Sequence, residues 1–177
     1  PKYSVLVYDV KDTGLTEGIR VNARQLLEDH VLDEAELERR LARISFTTDL
    51  NDEGVREADM VVEAVFENME VKQNLFALLE ARCRTDAIMC SNSSVMSPSE
   101  ISSKMKHRER FVGTHFWNPG HLIPLVEVVK SDASSDEVAR TVMKVLASVG
   151  KKPVLCKKDV PGFIANRMQH ALWREAI

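Results

Sequence analysis

The sequence predicts a doubly wound α/β fold on a mostly parallel sheet. Short apolar runs of strand length alternate with amphipathic stretches of helix length along the chain. Such an order is satisfied by parallel strands covered by helices on both faces. In addition, no repeat, low-complexity tract or long linker interrupts the alternation.

The first strand is 4–8, SVLVY. Helices over 15–29 and 33–44 follow, with Asp33 as N-cap and Leu37, Leu41 and Ile44 recurring at helical spacing. A short strand covers 45–48 and a stronger one 60–65, MVVEAV. The spacing of Val71, Leu75, Leu78, Leu79 and Arg82 predicts an amphipathic helix over 69–82. A strand covers 87–90, and Ser97-Pro98-Ser99-Glu100 opens a short helix with capping-box spacing. Strands at 111–114 and 125–129 flank the Pro/Gly turn 119–124. A helix over 135–149 stops at Gly150. The last strand is 153–156 and the last helix 163–177. Pro161 and Gly162 punctuate the step between them and permit close backbone approach.

Composition narrows the class. The 177 residues are 44% hydrophobic and 29% charged, as in an ordinary soluble globular domain. The net charge of −3 offers no electrostatic footprint for nucleic acid. No apolar run approaches transmembrane length and no signal-peptide pattern is present, so no membrane partner is expected; the odd, scattered cysteine count suggests a cytoplasmic location. Cys83, Cys90 and Cys156 form no CxxC pair and read as reduced core thiols. No His/Cys/Asp cluster has metal-ligand spacing, so no metal is expected.

The richest stretch is Val112–Pro119, VGTHFWNP, with Leu125-Val126-Glu127 beyond the turn. A histidine near one strand end and a carboxylate on the returning strand can meet side by side. The imidazole exchanges a proton near neutral pH and the carboxylate fixes its tautomer. The same pattern also describes a buried histidine with a hydrogen-bonded glutamate of structural role. Asp9 ends the first strand. In dinucleotide-binding folds an acid there binds ribose hydroxyls, about 20 residues after a glycine-rich phosphate loop, but no GxGxxG occurs in this chain.

Five segments taken together are specific: MVVEAVFEN with Val71-Lys72, SNSS at 91–94, HFWNP at 115–119, LVEV at 125–128, and KDVPGFIANR at 158–167. In order and approximate spacing the chain resembles the NAD-binding domain of the L-3-hydroxyacyl-CoA dehydrogenase family, over residues 4–177. The resemblance implies a Rossmann-like domain over 1–162 and, from 163, the helix that leads into a helical C-terminal domain. It also implies a first β-α unit missing from this sequence. The C-terminal domain closes the substrate cleft and usually dimerises, so a homodimer is expected.

The resemblance further implies NAD as cofactor and roles for individual residues. Asp9 matches the ribose-binding acid. Glu67 and Lys72 match residues near the nicotinamide, and Asn118 a further cofactor contact. Ser94 matches the serine that bonds the substrate oxygen beside the nicotinamide. His115 matches the catalytic acid/base, Glu127 its orienting partner, and Asn166 the active-site asparagine. Oxidation of a secondary alcohol needs a base on the O–H, a hydride acceptor and donors that polarise the forming carbonyl. Bland readings stand beside these: Ser93 and Ser94 as turn formers, Lys72 as a solvated helix residue, Trp117 as packing, and His30, His107 and His170 as surface residues.

Two departures bear on the substrate. Many fatty-acyl members read HFFNPVP where this chain has HFWNPGH, with an added His121 that can pair with a substrate carboxylate or be a solvent-exposed loop residue. Fatty-acyl members are also lysine-rich where this chain carries Glu28, Asp29, Asp33, Glu34, Glu36 and Glu38, charges that repel a CoA phosphate. The reaction that the resemblance implies is nonetheless NAD-dependent oxidation of a 3-hydroxyacyl-CoA or the reverse reduction. The alternatives are dehydrogenation of a small non-CoA hydroxy acid, or a crystallin-like structural or cofactor-binding protein without catalysis.

Overall fold

A computed structural model describes residues 3–11, 14–28 and 30–177. These fall into two compact units, one up to Glu57 and the other Ala58–Ile177.

In the first unit, β1 (Val5–Tyr8) and β2 (Ile44–Thr47) pair in parallel, Val5 opposite Ile44 and Tyr8 opposite Thr47. Two helices connect them, α1 (Leu15–Glu28) and α2 (Glu34–Leu41), and α3 (Glu53–Arg56) follows. Asp33 is the N-cap of α2, its Oδ1 accepting from the Glu36 N–H at 2.7 Å. Ala23, Leu32 and Leu37 bury together, with Leu26, Leu27 and Leu41 packed against them. The helix expected over 33–44 stops at Leu41, because Ile44 pairs in the sheet instead. Asp29, expected to end α1, lies outside the described residues. The acidic run is not a bare negative patch: Arg39 and Arg40 bind Glu36, and Arg20 binds Glu38 at 2.7 Å. The repulsion of a CoA phosphate expected from it is correspondingly weakened.

The second unit contains β3 (Met60–Glu63), α4 (Met69–Arg82), β4 (Ile88–Ser91), α5 (Pro98–Ile101), β5 (Phe111–Phe116), β6 (Leu125–Lys130), α6 (Asp136–Ser148), β7 (Lys152–Cys156) and α7 (Ala165–Ala176). The sheet order is β3-β4-β5-β6-β7, parallel except for the antiparallel β5–β6 pair. Successive side chains of a strand face opposite sides, and both sides are covered. Cys90, Val112, Val126 and Val128 pack with Ala139, Val142 and Leu146 of α6. On the other side Phe111 meets Phe76 of α4, ring centroids 4.8 Å apart and edge-on.

The face of α4 differs from the expectation. Its buried residues are Lys72, Phe76 and Leu79, while Val71 and Leu78 are exposed. α7 begins at Ala165 rather than 163. Gly162 and Phe163 both have positive φ, 76° and 51°, and the resulting turn buries Phe163 against Val129 and Cys156. Glycine meets a positive φ without steric cost; Phe163 is held there by burial. α3 and the two 3₁₀ turns at Ser102–Lys104 and Arg108–Arg110 are too short for the sequence pattern to mark.

Candidate active site

The antiparallel β5–β6 ladder sets His115 directly opposite Glu127. Opposed residues of such a pair project to the same face within side-chain reach. His115 Nδ1 lies 2.9 Å from Glu127 Oε2, and both residues are buried, 5% and 1% exposed. The carboxylate is a hub. Its Oε2 also accepts from Trp117 Nε1 at 3.2 Å, and its Oε1 accepts from the Ile164 and Ala165 N–H groups at 2.9 and 3.0 Å. Burial would raise its pKa, but the bonds from His115, Ala165, Ile164 and Trp117 outweigh that and lower it to about 2. An ionised carboxylate only accepts. Nδ1 of His115 therefore donates, and in the neutral ring Nε2 carries the lone pair. The Cys156 thiol, 3.9 Å from Oε1, is pushed up to about 11 by burial and by the Glu127 charge, so it stays protonated.

A second buried network lies behind the ends of β3 and β4. Glu63 accepts from Lys72 Nζ at 2.6 Å and from the Val65 N–H at 2.7 Å through Oε1, and from Ser91 Oγ at 2.6 Å through Oε2. Lys72 also donates to Val65 O at 3.1 Å and faces Glu67 Oε2 at 3.5 Å. Glu67 in turn accepts from Ser93 Oγ and, through Oε1, from the Ser94 N–H at 2.8 Å. Lys72 is 1% exposed with its three donors directed at these partners, so it is not a solvated helix residue. From that buried position it faces the carboxylate of Glu67.

The two networks meet at the turn after β4. Asn166 Nδ2 donates to Ser94 O at 3.1 Å, and Asn92 Oδ1 accepts from the Phe116 N–H at 2.9 Å, tying the ends of β4 and β5. The Ser94 side chain is exposed beside this junction. Val95, Phe163, Ile164 and Asn166 line a cleft of about 920 Å³ together with Arg167 and His170 of α7. Asn118, joined to Pro119 by a cis peptide bond, and His121 are both exposed on the hairpin loop. Lys151 holds that loop by donating to Gly120 O and Ile123 O. In the first unit Asp9 follows β1, half-buried, its Oδ1 accepting from the Lys11 N–H at 3.3 Å. Ser93, Ser94, His115, Glu127 and Asn166 thus gather in one region, while Asn118 and His121 face solvent.

Sequence reasoning missed Glu63 and the role of Trp117. Glu63 carried a signal, an acid inside an otherwise apolar strand run. Trp117 carried none, because its reach to Glu127 depends on how the chain bends after β5.

Each unit by itself offers groups that fit part of a dinucleotide. In the first unit Asp9 follows β1 with a carboxylate of the kind that accepts from paired hydroxyls. In the second unit the exposed Ser94 and Asn118 offer a neutral hydroxyl and a neutral amide.

Comparison with known proteins agrees. The family model for the 3-hydroxyacyl-CoA dehydrogenase NAD-binding domain matches residues 1–160. A probable 3-hydroxybutyryl-CoA dehydrogenase of Deinococcus radiodurans is 37% identical over 99% of this chain and 63% of its own length. An L-carnitine dehydrogenase of Pseudomonas aeruginosa is 39% identical over 76% of this chain and 42% of its own length. The crystal structure of 3-hydroxybutyryl-CoA dehydrogenase from Escherichia coli superposes with a TM-score of 0.91 at 35% identity, covering 98% of this chain and 37% of that one. The chain thus spans less than two thirds of the length of these relatives. The residues matched and the shared fold establish that this chain belongs to the 3-hydroxyacyl-CoA dehydrogenase family, as its NAD-binding domain.

Proposed function

We propose that the protein oxidises the 3-hydroxyl of a 3-hydroxyacyl-CoA, or reduces the 3-ketone in reverse. The observation that carries this reading is the buried His115–Glu127 pair beside the Ser94–Asn166 junction. NAD, when bound, supplies the hydride acceptor. His115 Nε2 takes the hydroxyl proton, and Glu127 holds the ring in the tautomer that leaves Nε2 free and steadies the imidazolium. Ser94 and Asn166 bond the substrate oxygen as it becomes a carbonyl. Asp9 takes the ribose hydroxyls, and Glu67 and Asn118 line the nicotinamide side, with Lys72 and Ser93 fixing Glu67. Residues 1–162 act as the cofactor-binding domain, and 163–177 open a following helical region.

A second reading is oxidation of a small hydroxy acid without CoA. It is favoured by a relative named as an L-carnitine dehydrogenase at an identity comparable to the CoA enzymes. Exposed His121 is its proposed carboxylate contact. NADH formation at 340 nm by the intact protein, against acyl-CoA and free hydroxy acids, tests both. Turnover of 3-hydroxybutyryl-CoA with indifference to His121→Ala supports the first. Turnover of free hydroxy acids alone, with a raised KM in His121→Ala, supports the second. No NADH with any substrate sinks both and leaves a binding or structural role.

The same reading takes the protein as a cytoplasmic homodimer. Cys83, Cys90 and Cys156 are all buried in the core. α7 presents Met168, Leu172 and Trp173 to solvent, an apolar face of the kind that association covers.

A further inference from the structure

We propose that Trp117 is a positioning residue of the proton-transfer pair. Its indole N–H shares Glu127 Oε2 with the imidazole and so weakens that oxygen's preference for a charged ring. The inference rests on the dehydrogenase reading, in which His115 must be neutral to accept the hydroxyl proton.

Glu127 Oε2 accepts from two side chains, His115 Nδ1 at 2.9 Å and Trp117 Nε1 at 3.2 Å. The other oxygen is occupied by the Ile164 and Ala165 N–H groups, with the Cys156 thiol at 3.9 Å. A carboxylate offers about four lone-pair sites, so this one is saturated without solvent. The donors differ in one respect. The imidazole changes charge during the reaction, whereas the indole N–H is a neutral donor that never titrates. Cys156 on β7 remains protonated, and the groups from the start of α7 are backbone amides. Around His115 itself stand the Phe163 and Trp117 rings, centroids 5.7 and 5.4 Å away and tilted. Neither ring carries a charge. Trp117 is therefore the side chain here that draws on the carboxylate equally at every pH.

Removing only that N–H leaves the carboxylate more basic and Oε2 wholly to the imidazole. The imidazolium is then favoured over the neutral ring, so the base form of the pair is lost at a higher pH.

The test is Trp117→Phe in the intact protein, which keeps a ring and deletes the donor. The acid limb of the pH profile of kcat/KM for alcohol oxidation is expected to move up by about 0.5 pH unit, a fraction of one hydrogen bond to a charged group. A purely packing role lowers activity by the same factor at every pH and leaves the limb in place, and that result would overturn the proposal. A second measurement does not require the Phe variant to fold. The chain has two tryptophans, Trp117 and Trp173, hence two indole N–H signals in a ¹H–¹⁵N spectrum. In Glu127→Gln the Trp117 signal should move upfield as its acceptor loses charge, while that of Trp173 stays. If the Trp117 signal does not move, the shared hydrogen bond is absent and the proposal fails. A wild-type protein that forms no NADH sinks the dehydrogenase reading, and the tuning role goes with it even if the indole signal moves.

Discussion

Replacing His115 by Gln keeps a polar side chain but removes the group that changes protonation. In the proposed reaction kcat should then fall by roughly 10²–10⁴-fold, the usual worth of positioned acid–base catalysis, with NAD affinity barely altered. Glu127→Gln should lower kcat too and move the acid limb down, because the imidazolium loses its counter-charge. Steady-state kinetics across pH decide both, and wild-type turnover in a folded His115→Gln protein removes the histidine from the mechanism. The pairing was legible in the sequence because a strand–turn–strand pattern sets two chemically matched residues on one face. Glu63 and Lys72 were not legible as a pair, since nine residues and a strand-to-helix turn separate them. Their ion pair, 2.6 Å long and buried at both ends, makes a distinct prediction. Lys72→Met should cost about 3–5 kcal/mol, because it strands a buried carboxylate. Adding Glu63→Gln should restore part of that loss. Urea unfolding of the three proteins measures it, and additive losses in the double variant would contradict the coupling.

At the scale of elements, most boundaries were readable because caps and breakers mark them. Asp33, Ser97 and Ser135 each accept from the backbone N–H three residues on. Asn68 caps α4 in the same way. What periodicity could not settle is which side of α4 faces the sheet. Its apolar residues occur on two overlapping stripes, and the spacing of Val71, Leu75 and Leu78 fits a helix as well as that of Lys72, Phe76 and Leu79. A lysine on the inner stripe argues for the wrong choice, and only the partner Glu63 reverses it. Phe76 is fully buried against Phe111 whereas Val71 is exposed. Phe76→Ala should therefore cost about 3–5 kcal/mol and Val71→Ala within about 0.5 kcal/mol. Equal losses in denaturant midpoints would show that α4 is rotated. The start of α7 was misjudged for a related reason: Phe163 is apolar enough to continue a helix, yet its burial beside Cys156 and Val129 holds it in a left-handed turn.

For the whole molecule, the aromatic residues provide separate reporters of the two units. Both tyrosines, Tyr3 and Tyr8, belong to the first unit, and both tryptophans, Trp117 and Trp173, to the second. The division itself was not legible, because the alternation of strands and helices runs through Glu57 and Ala58 without a linker. Tryptophan emission therefore reports on the unit that holds Glu127. Glu127 lies in the second unit with its pKa lowered from 4.5 to about 2. A carboxyl depressed in the folded state binds fewer protons there than in the unfolded chain. Its stabilising contribution is complete above about pH 4.5 and is lost as pH falls through about 2. With about 1.4 kcal/mol per pH unit, the full contribution is on the order of 3 kcal/mol. Thermal unfolding followed by tryptophan fluorescence at pH 6, 4.5, 3.5 and 2.5 should show stability falling steeply below about pH 4.5. Glu127→Gln, which has no proton to gain, should start less stable and fall less steeply over the same interval. Identical slopes for wild type and Glu127→Gln in the tryptophan signal would mean that the carboxyl titrates alike in the folded and unfolded chain, and that the donors gathered around it contribute nothing to acid stability.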